Sequence, residues 1–327
     1  MNKQFLALTA AALLAVPAFA KTDAQALIPS DAVTVGVVHL DQMRSSPLSG
    51  TLFQQTDKIT ADGDAAQFLL EAGLKPSQDI DIIVVATSLV TTLGKEADVI
   101  IAADGRFNID RLSSALTARG AVKKTATSGG SYFLLPEKKA GSSEVTRRGA
   151  VAFPDGHLAL AGTEDAVTAA LAARAAGGTN FATSSTLGHE IARIDGRATA
   201  WALVDVTRSQ RLVGSPHVST GSPAGAAVNT ALKNVSTVAI WATDTGDNVK
   251  LGAFGLSGDG ETLQLLEDTL RGALSAMRLA IQDKQPDMVS VLRRFTVSRN
   301  SDSVTISGSI PSDTFKKYAA GHHGSSK

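Results

Sequence analysis

Six histidines and a handful of closely spaced acids are the residues of this chain that could do chemistry. His39 stands at the end of an apolar run, Val37-Val38-His39-Leu40-Asp41, where a catalytic histidine could sit. On an apolar strand a structural histidine is the weightier reading. Asp79 and Asp81 flank Ile80, so on a strand their carboxylates share one face and could begin a cation site. No further oxygen ligands can be placed beside them, and solvated acids at a strand start account for both. Asp244, Asp247 and Asn248 have the right types for calcium, but they surround Thr245-Gly246 and read as hairpin-turn chemistry. His189-Glu190 opens like His-Glu-x-x-His, yet Arg193 occupies the second histidine's place, so the zinc motif is excluded. His157 belongs to a turn and His217 to a Ser-, Gly- and Pro-rich loop. His322-His323 lies in a tail that offers no preformed metal site.

Nucleophile motifs are missing as well. Gly221-Ser222-Pro223-Ala224-Gly225 has its serine out of place for a nucleophile elbow, and no serine is followed three residues later by lysine. There is no cysteine, which removes disulfides, thiolate nucleophiles and Cys-ligated metals. Neither a phosphate-binding loop nor a dinucleotide fingerprint occurs. The most suggestive acids are Asp41 and Asp205, because each begins Asp-x-x-Arg-Ser after an apolar run, and helix capping explains both. The chain is therefore read with no catalytic, cofactor-binding or metal-ligating set, no cofactor, and as not an enzyme.

The elements around these residues form a pattern that occurs twice. Val33 to Leu40 reads as a buried strand, followed by a short helix that Ser45-Ser46-Pro47 interrupts. A helix is expected from about Asp64 to Ala72. Ile80 to Leu89 is a strand whose run Ile82-Ile83-Val84-Val85-Ala86 implies cover on both faces. Asp98 to Ala103 returns antiparallel to it, and Asn108 caps a helix carrying Ile109, Leu112, Ala115 and Leu116. Tyr132 to Pro136, Gly149 to Phe153 and His157 to Ala161 are further strands. Thr163 caps the helix after them.

The pattern restarts at Ala198 to Val204, with Asp205 as cap. Val235 to Thr243 and Val249 to Gly255 form a hairpin. The helix from about Asp259 to Ile281 sets Leu263, Leu266, Leu270, Leu274, Met277 and Ile281 on one stripe. A last hairpin spans Arg294 to Ser309, and Ser312 caps a final helix. Four landmarks overlay in order: Asp41 on Asp205, Val84 on Ile240, Gly105 on Gly255, and Gly162 on Gly308. The expected fold is α+β, with two tandem ferredoxin-like units of β-α-β-β-α-β plus an extra strand. Antiparallel sheets would carry helices on one face, and joining the sheets edge to edge would protect their edges. The divisions are 1–20, 21–186, 187–320 and a disordered tail, 321–327.

The ends and composition bound the setting. Lys3, the apolar stretch Phe5 to Val16 and Ala18-Phe19-Ala20 make a signal peptide cleaved after Ala20. Removing Lys3 leaves 30 basic against 31 acidic residues, so nucleic acid is not an expected partner. No later stretch is long and apolar enough to span a bilayer. The segments Leu27 to Ala32, Leu40-Asp41 and Asp79-Ile80-Asp81 resemble secreted bacterial proteins of unknown function. That resemblance implies export and brings no activity. The expectation is a periplasmic or extracellular, non-enzymatic binding or protein-interaction protein. Its partner would be a protein or an apolar small molecule held between sheet and helices. A cell-envelope hydrolase with an unrecognised acid–base pair is the alternative.

Overall fold

A computed structural model describes residues 23–50, 53, 63–89, 97–136, 148–213, 234–283 and 285–321. The expected signal peptide, the turn at 94–96, most of the polar excursion at 138–148, the loop at 214–227, His217, and His322-His323 with the rest of the tail lie outside these residues. The strands are β1 (Ala32–His39), β2 (Ile80–Leu89), β3 (Ala97–Gly105), β4 (Val122–Thr125), β5 (Ser131–Leu134), β6 (Gly149–Asp155), β7 (Leu158–Thr163), β8 (Ala200–Asp205), β9 (Thr237–Asp244), β10 (Asn248–Leu256), β11 (Thr296–Arg299) and β12 (Ser303–Pro311). The helices are α1 (Leu40–Arg44), α2 (Gly63–Ala72), α3 (Pro76–Asp79), α4 (Ile109–Ala118), α5 (Glu164–Ala175), α6 (Phe181–Ser184), α7 (Thr186–Glu190), α8 (Val206–Val213), α9 (Gly260–Ile281), α10 (Pro286–Leu292) and α11 (Ser312–Gly321).

The twelve strands of the described residues join one sheet in the order β11-β12-β10-β9-β8-β1-β2-β3-β7-β6-β5-β4. The two expected sheets are thus continuous through the β1–β8 pair, where Thr34 lies opposite Val204 and Val38 opposite Ala200. Reading outward from that pair, one side runs β1-β2-β3-β7-β6-β5-β4 and the other β8-β9-β10-β12-β11. The connectivity is not the expected ferredoxin-like one. A split βαβ unit sets two parallel strands on either side of a third, whereas here β1 and β2 are direct neighbours and antiparallel. β4 escaped the sequence reading because Val122-Lys123-Lys124-Thr125 is exposed throughout. A charged edge strand gives no apolar signal.

Helices cover both faces, not one. Alternate residues along each strand point to opposite faces. On the covered face, Val35, Val37, Val84, Ala86, Leu160 and Leu203 pack with Val167 and Leu171 of α5, Phe181 of α6 and Leu187 of α7. On the other face, α2 and α4 bring Ala72 and Leu112 against Ala103, Ile83 and Ala159. On that same face α9 brings Leu263 and Leu266 against Val238 and Val304. These opposed cores also correct the overlay of the two halves. Val84 is buried on the covered face, while Ile240 is exposed on the other. The match that sequence suggests is out by one residue, and a one-residue slip exchanges faces.

The shared Asp-x-x-Arg-Ser segments do different work. The Asp205 carboxylate accepts from the Arg208 backbone N–H at 2.8 Å and caps α8. Asp41 is no cap: α1 begins at Leu40 after His39, and Asp41 is exposed in its first turn. Arg44 reaches Asp81 at 2.8 Å and the carbonyls of Ser77 and Ile80. Arg208 instead reaches the carbonyl of Asp31. Asp205→Ala is expected to lose about 1–2 kcal/mol, and Asp41→Ala to stay within about 0.5 kcal/mol of the parent, both read by urea denaturation. Thr163 also departs from expectation. It precedes α5, but its hydroxyl donates to Asp98 at 2.7 Å rather than capping the helix.

Candidate functional site

Between the helix pair α2/α4 and α9, one face of the sheet carries no helix among the described residues. The sequence makes this possible by keeping the middle of the central strands apolar on both faces: Val-Gly-Val-Val in β1, Ile-Ile-Val-Val-Ala in β2 and Ala-Trp-Ala-Leu-Val in β8. One set of alternating residues enters the covered core. The other set floors a groove of about 540 Å³, lined by Gly36, Val38, Ile83, Ala200, Ala202 and Ala242 among others. None of the described lining residues is charged.

Register gives the groove its shape. Val85, Gly36, Ala202 and Ile240 are successive cross-strand neighbours on β2, β1, β8 and β9. Val85 is 39% exposed and Ile240 56%, so two large side chains stand as walls with two small residues between them. Three strand spacings place the walls about 14 Å apart. On the other side of the same strands, Val84 and Ala239 are fully buried. A second apolar cavity, about 430 Å³, lies on the same face beneath α2 and α4, lined by Phe68, Ile101, Phe107 and Phe153. A larger pocket of about 640 Å³ beside Asp23 and Ser128 is polar, and its Arg174 is already paired with Asp155.

The candidate chemical residues do not converge. Asp79 accepts from the Lys75 backbone N–H at 2.8 Å and so holds the start of α3, while Asp81 pairs with Arg44. Asp244 accepts from Gly246 N–H at 2.7 Å and from the Ser46 hydroxyl, which is turn and loop chemistry. Glu190 and Asp302 both bind Arg193, each at 2.6 Å. His189 Nε2 meets the carbonyl of Thr183, and His157 lies in the β6–β7 turn that Asp155 organises. Asp195 borders a small pocket with Phe181 and Trp201. The Arg197 backbone N–H and the Thr243 hydroxyl hold its carboxyl below the usual carboxylate range. Among the described residues no three metal-capable side chains come together.

His39 is the exception that sequence singled out. It ends β1, and its backbone N–H donates to the Thr199 carbonyl at 2.8 Å. Its side chain is buried, and Nε2 has no hydrogen-bond partner. Burial holds its pKa below the ordinary 6.5, against the opposing pull of Asp41. The native state favours neutral His39, so its contribution is full above pH 6.5. It is lost as pH falls from there through the depressed native value, because the unfolded chain takes up the proton first. A denaturation series across that window should show this slope in the parent and a flatter one in His39→Leu.

No family model matches the chain, and no curated protein matches it. Solved structures do. The chain is similar to crystal form III of TP0453, with a TM-score of 0.51 and 9% identity over 91% of this chain and 98% of that one. Crystal forms IV and I of the same protein give TM-scores of 0.47 and 0.45. At this identity the likeness to form III is one of fold alone. The groove residues escaped the sequence reading, although they left a signal. A strand in an antiparallel sheet that faces water on one side alternates apolar and polar residues. β1, β2 and β8 do not alternate, and Val85 and Ile240 show that the second apolar face is open.

Proposed function

We propose that this is an exported, non-enzymatic binding protein of the bacterial periplasm, and that the bare groove is its binding surface. One observation carries the reading: a wholly uncharged groove with two exposed walls, Val85 and Ile240, across the centre of an otherwise helix-covered sheet. Pockets built this way bind through apolar burial. Exposed apolar surface on a folded chain marks a place for a partner. We further propose that the scaffold is one unit used twice, supported by the like order of the first five strands on either side of the β1–β8 pair, with β5 and β4 as an addition to the first unit. The N-terminal Lys3, apolar stretch and Ala-x-Ala segment support export.

The test uses an environment-sensitive naphthylamine dye at nanomolar protein concentration. The parent should bind it with enhanced fluorescence. Ile240→Asp should weaken binding roughly tenfold or more, because one buried aliphatic wall is worth about 1.5–3 kcal/mol. Equal binding by parent and variant would reject the groove as the site. Far-UV circular dichroism of the variant, whose changed side chain is already exposed, checks that folding is retained.

A further inference from the structure

The covered face of the sheet carries a site of a different kind. The N-terminal turn Gln25–Leu27, α6, the turn Ile191–Arg193 and the start of β8 meet around a pocket of about 210 Å³. Ile28, Phe181, Ile194 and Trp201 line it, and each is more than nine-tenths buried. All four belong to the main core, so packing fixes these walls. Alternation along β8 puts Trp201 and Leu203 on that buried side. Among the described lining residues Asp195 alone is charged.

The two oxygens of Asp195 are used differently. Oδ1 accepts from the Arg197 backbone N–H at 3.0 Å and faces Arg197 Nε at 3.7 Å. Oδ2 accepts from the Thr243 hydroxyl at 3.2 Å. A carboxylate offers about four acceptor positions, so Oδ2 has one to spare. The Arg197 side chain is 75% exposed, and water screens its charge. The bonds from Arg197 N–H and Thr243 hold the carboxyl below the usual carboxylate range, and it stays ionised.

These facts select a ligand chemistry. An anion would meet an ionised carboxylate. A neutral apolar molecule would strip water from that carboxylate and give it no partner. A cation clothed in carbon meets both demands, with its charge beside Oδ2 and its methyl groups against the isoleucines and the aromatic rings. Aromatic side chains attract such cations, and quaternary ammonium ligands are recognised in this way. The volume equals that of about seven waters, which suits a free ammonium compound of choline size.

We propose that this pocket binds a small organic ammonium ion, with Asp195 as its counter-ion and Phe181 and Trp201 as its aromatic walls. The site is separate from the groove, which lies on the other face of the sheet. Isothermal titration of the purified chain with choline tests it, set against the neutral alcohol in which carbon replaces the choline nitrogen. Choline should bind roughly tenfold or more tightly than the alcohol. Asp195→Asn keeps an oxygen for the Arg197 N–H, so the turn is retained, and it should bring the two compounds to near equality. Ile240→Asp, which marks the groove, should leave choline binding unchanged. Circular dichroism checks that both variants are folded. Equal binding of choline and alcohol by the parent would overturn the proposal, and so would choline binding that Asp195→Asn does not weaken. Choline binding lost in Ile240→Asp and kept in Asp195→Asn would place the ligand in the groove instead. A folded parent that does not bind choline would also overturn it.

Discussion

Gly188→Ala is expected to cost about 3 kcal/mol or more and to lower the melting temperature by about 6–12 °C. Gly188 is buried in α7, where that short helix passes against the start of α6. A Cβ there would run into the carbonyl oxygen of Phe181, with the carbonyl carbon at 2.7 Å and the Ala182 Cα at 2.8 Å. These are backbone atoms, so no rotamer change relieves the contact. The backbone that must yield carries Phe181, one of the largest fully buried side chains in the covered core. Unseating a buried Phe costs about 3–5 kcal/mol when it is lost outright. The same substitution at Gly272 should act in the opposite direction. Gly272 sits within α9 with nothing within 4 Å of the added carbon, and replacing a helical glycine by alanine gains about 0.5–1 kcal/mol. Thermal and chemical denaturation of the two variants check both signs. A mild effect at Gly188 would mean that α6 and α7 are not pressed together as described.

Gly252→Val should lose about 2–3 kcal/mol and move tryptophan emission to longer wavelength. Gly252 and Trp241 are cross-strand neighbours on β10 and β9, and the indole lies over the glycine where a side chain would otherwise stand. Trp241 Cη2 would be 2.8 Å from an added Cβ, with other ring atoms nearer still. The ring also packs against Phe254 at 6.0 Å between centroids. A valine must push the indole off both contacts and toward water. The same device recurs at Gly308, where an added carbon would meet the ring of Phe295. The chain has two tryptophans, and Trp201 faces Trp241 across β8 and β9. An emission shift in Gly252→Val that disappears when Trp241 is replaced by Phe would assign the displacement to Trp241. Unchanged emission with unchanged stability would reject the stacked geometry.

Periodicity made the strands and the long helix legible. Ile80 to Leu89 and the stripe Leu263, Leu266, Leu270 and Leu274 are repeated apolar spacings that survive any tertiary context. The joined sheet also followed from reasoning about edges. The connectivity did not, because helices and strands in one linear order fit several sheets. Only the β1–β2 and β3–β7 pairings choose among them. The faces failed for a related reason. An apolar residue such as Val84 or Ile240 carries no mark of which side of the pleat it occupies, so landmark matching slipped by one. Asp41 and Asp205 looked equivalent because a motif of five residues was read without the strand end that sets its phase. Asp79, Asp81 and Asp244 each hold a local backbone or side-chain partner, and His39 Nε2 has none.

The pairing of β1 with β8 has a consequence for how the molecule comes into being. Thr34 and Val204 are neighbours across the sheet, yet about half the chain separates them in sequence. A first half that collapses once its own strands are made holds β1 as a raw border of unpaired amide and carbonyl groups. That border can close only after β8 has arrived, and contacts so distant in sequence are slow to form. Until then the nascent molecule is adhesive along its midline, and β1 is the strand a holding chaperone would need to shield.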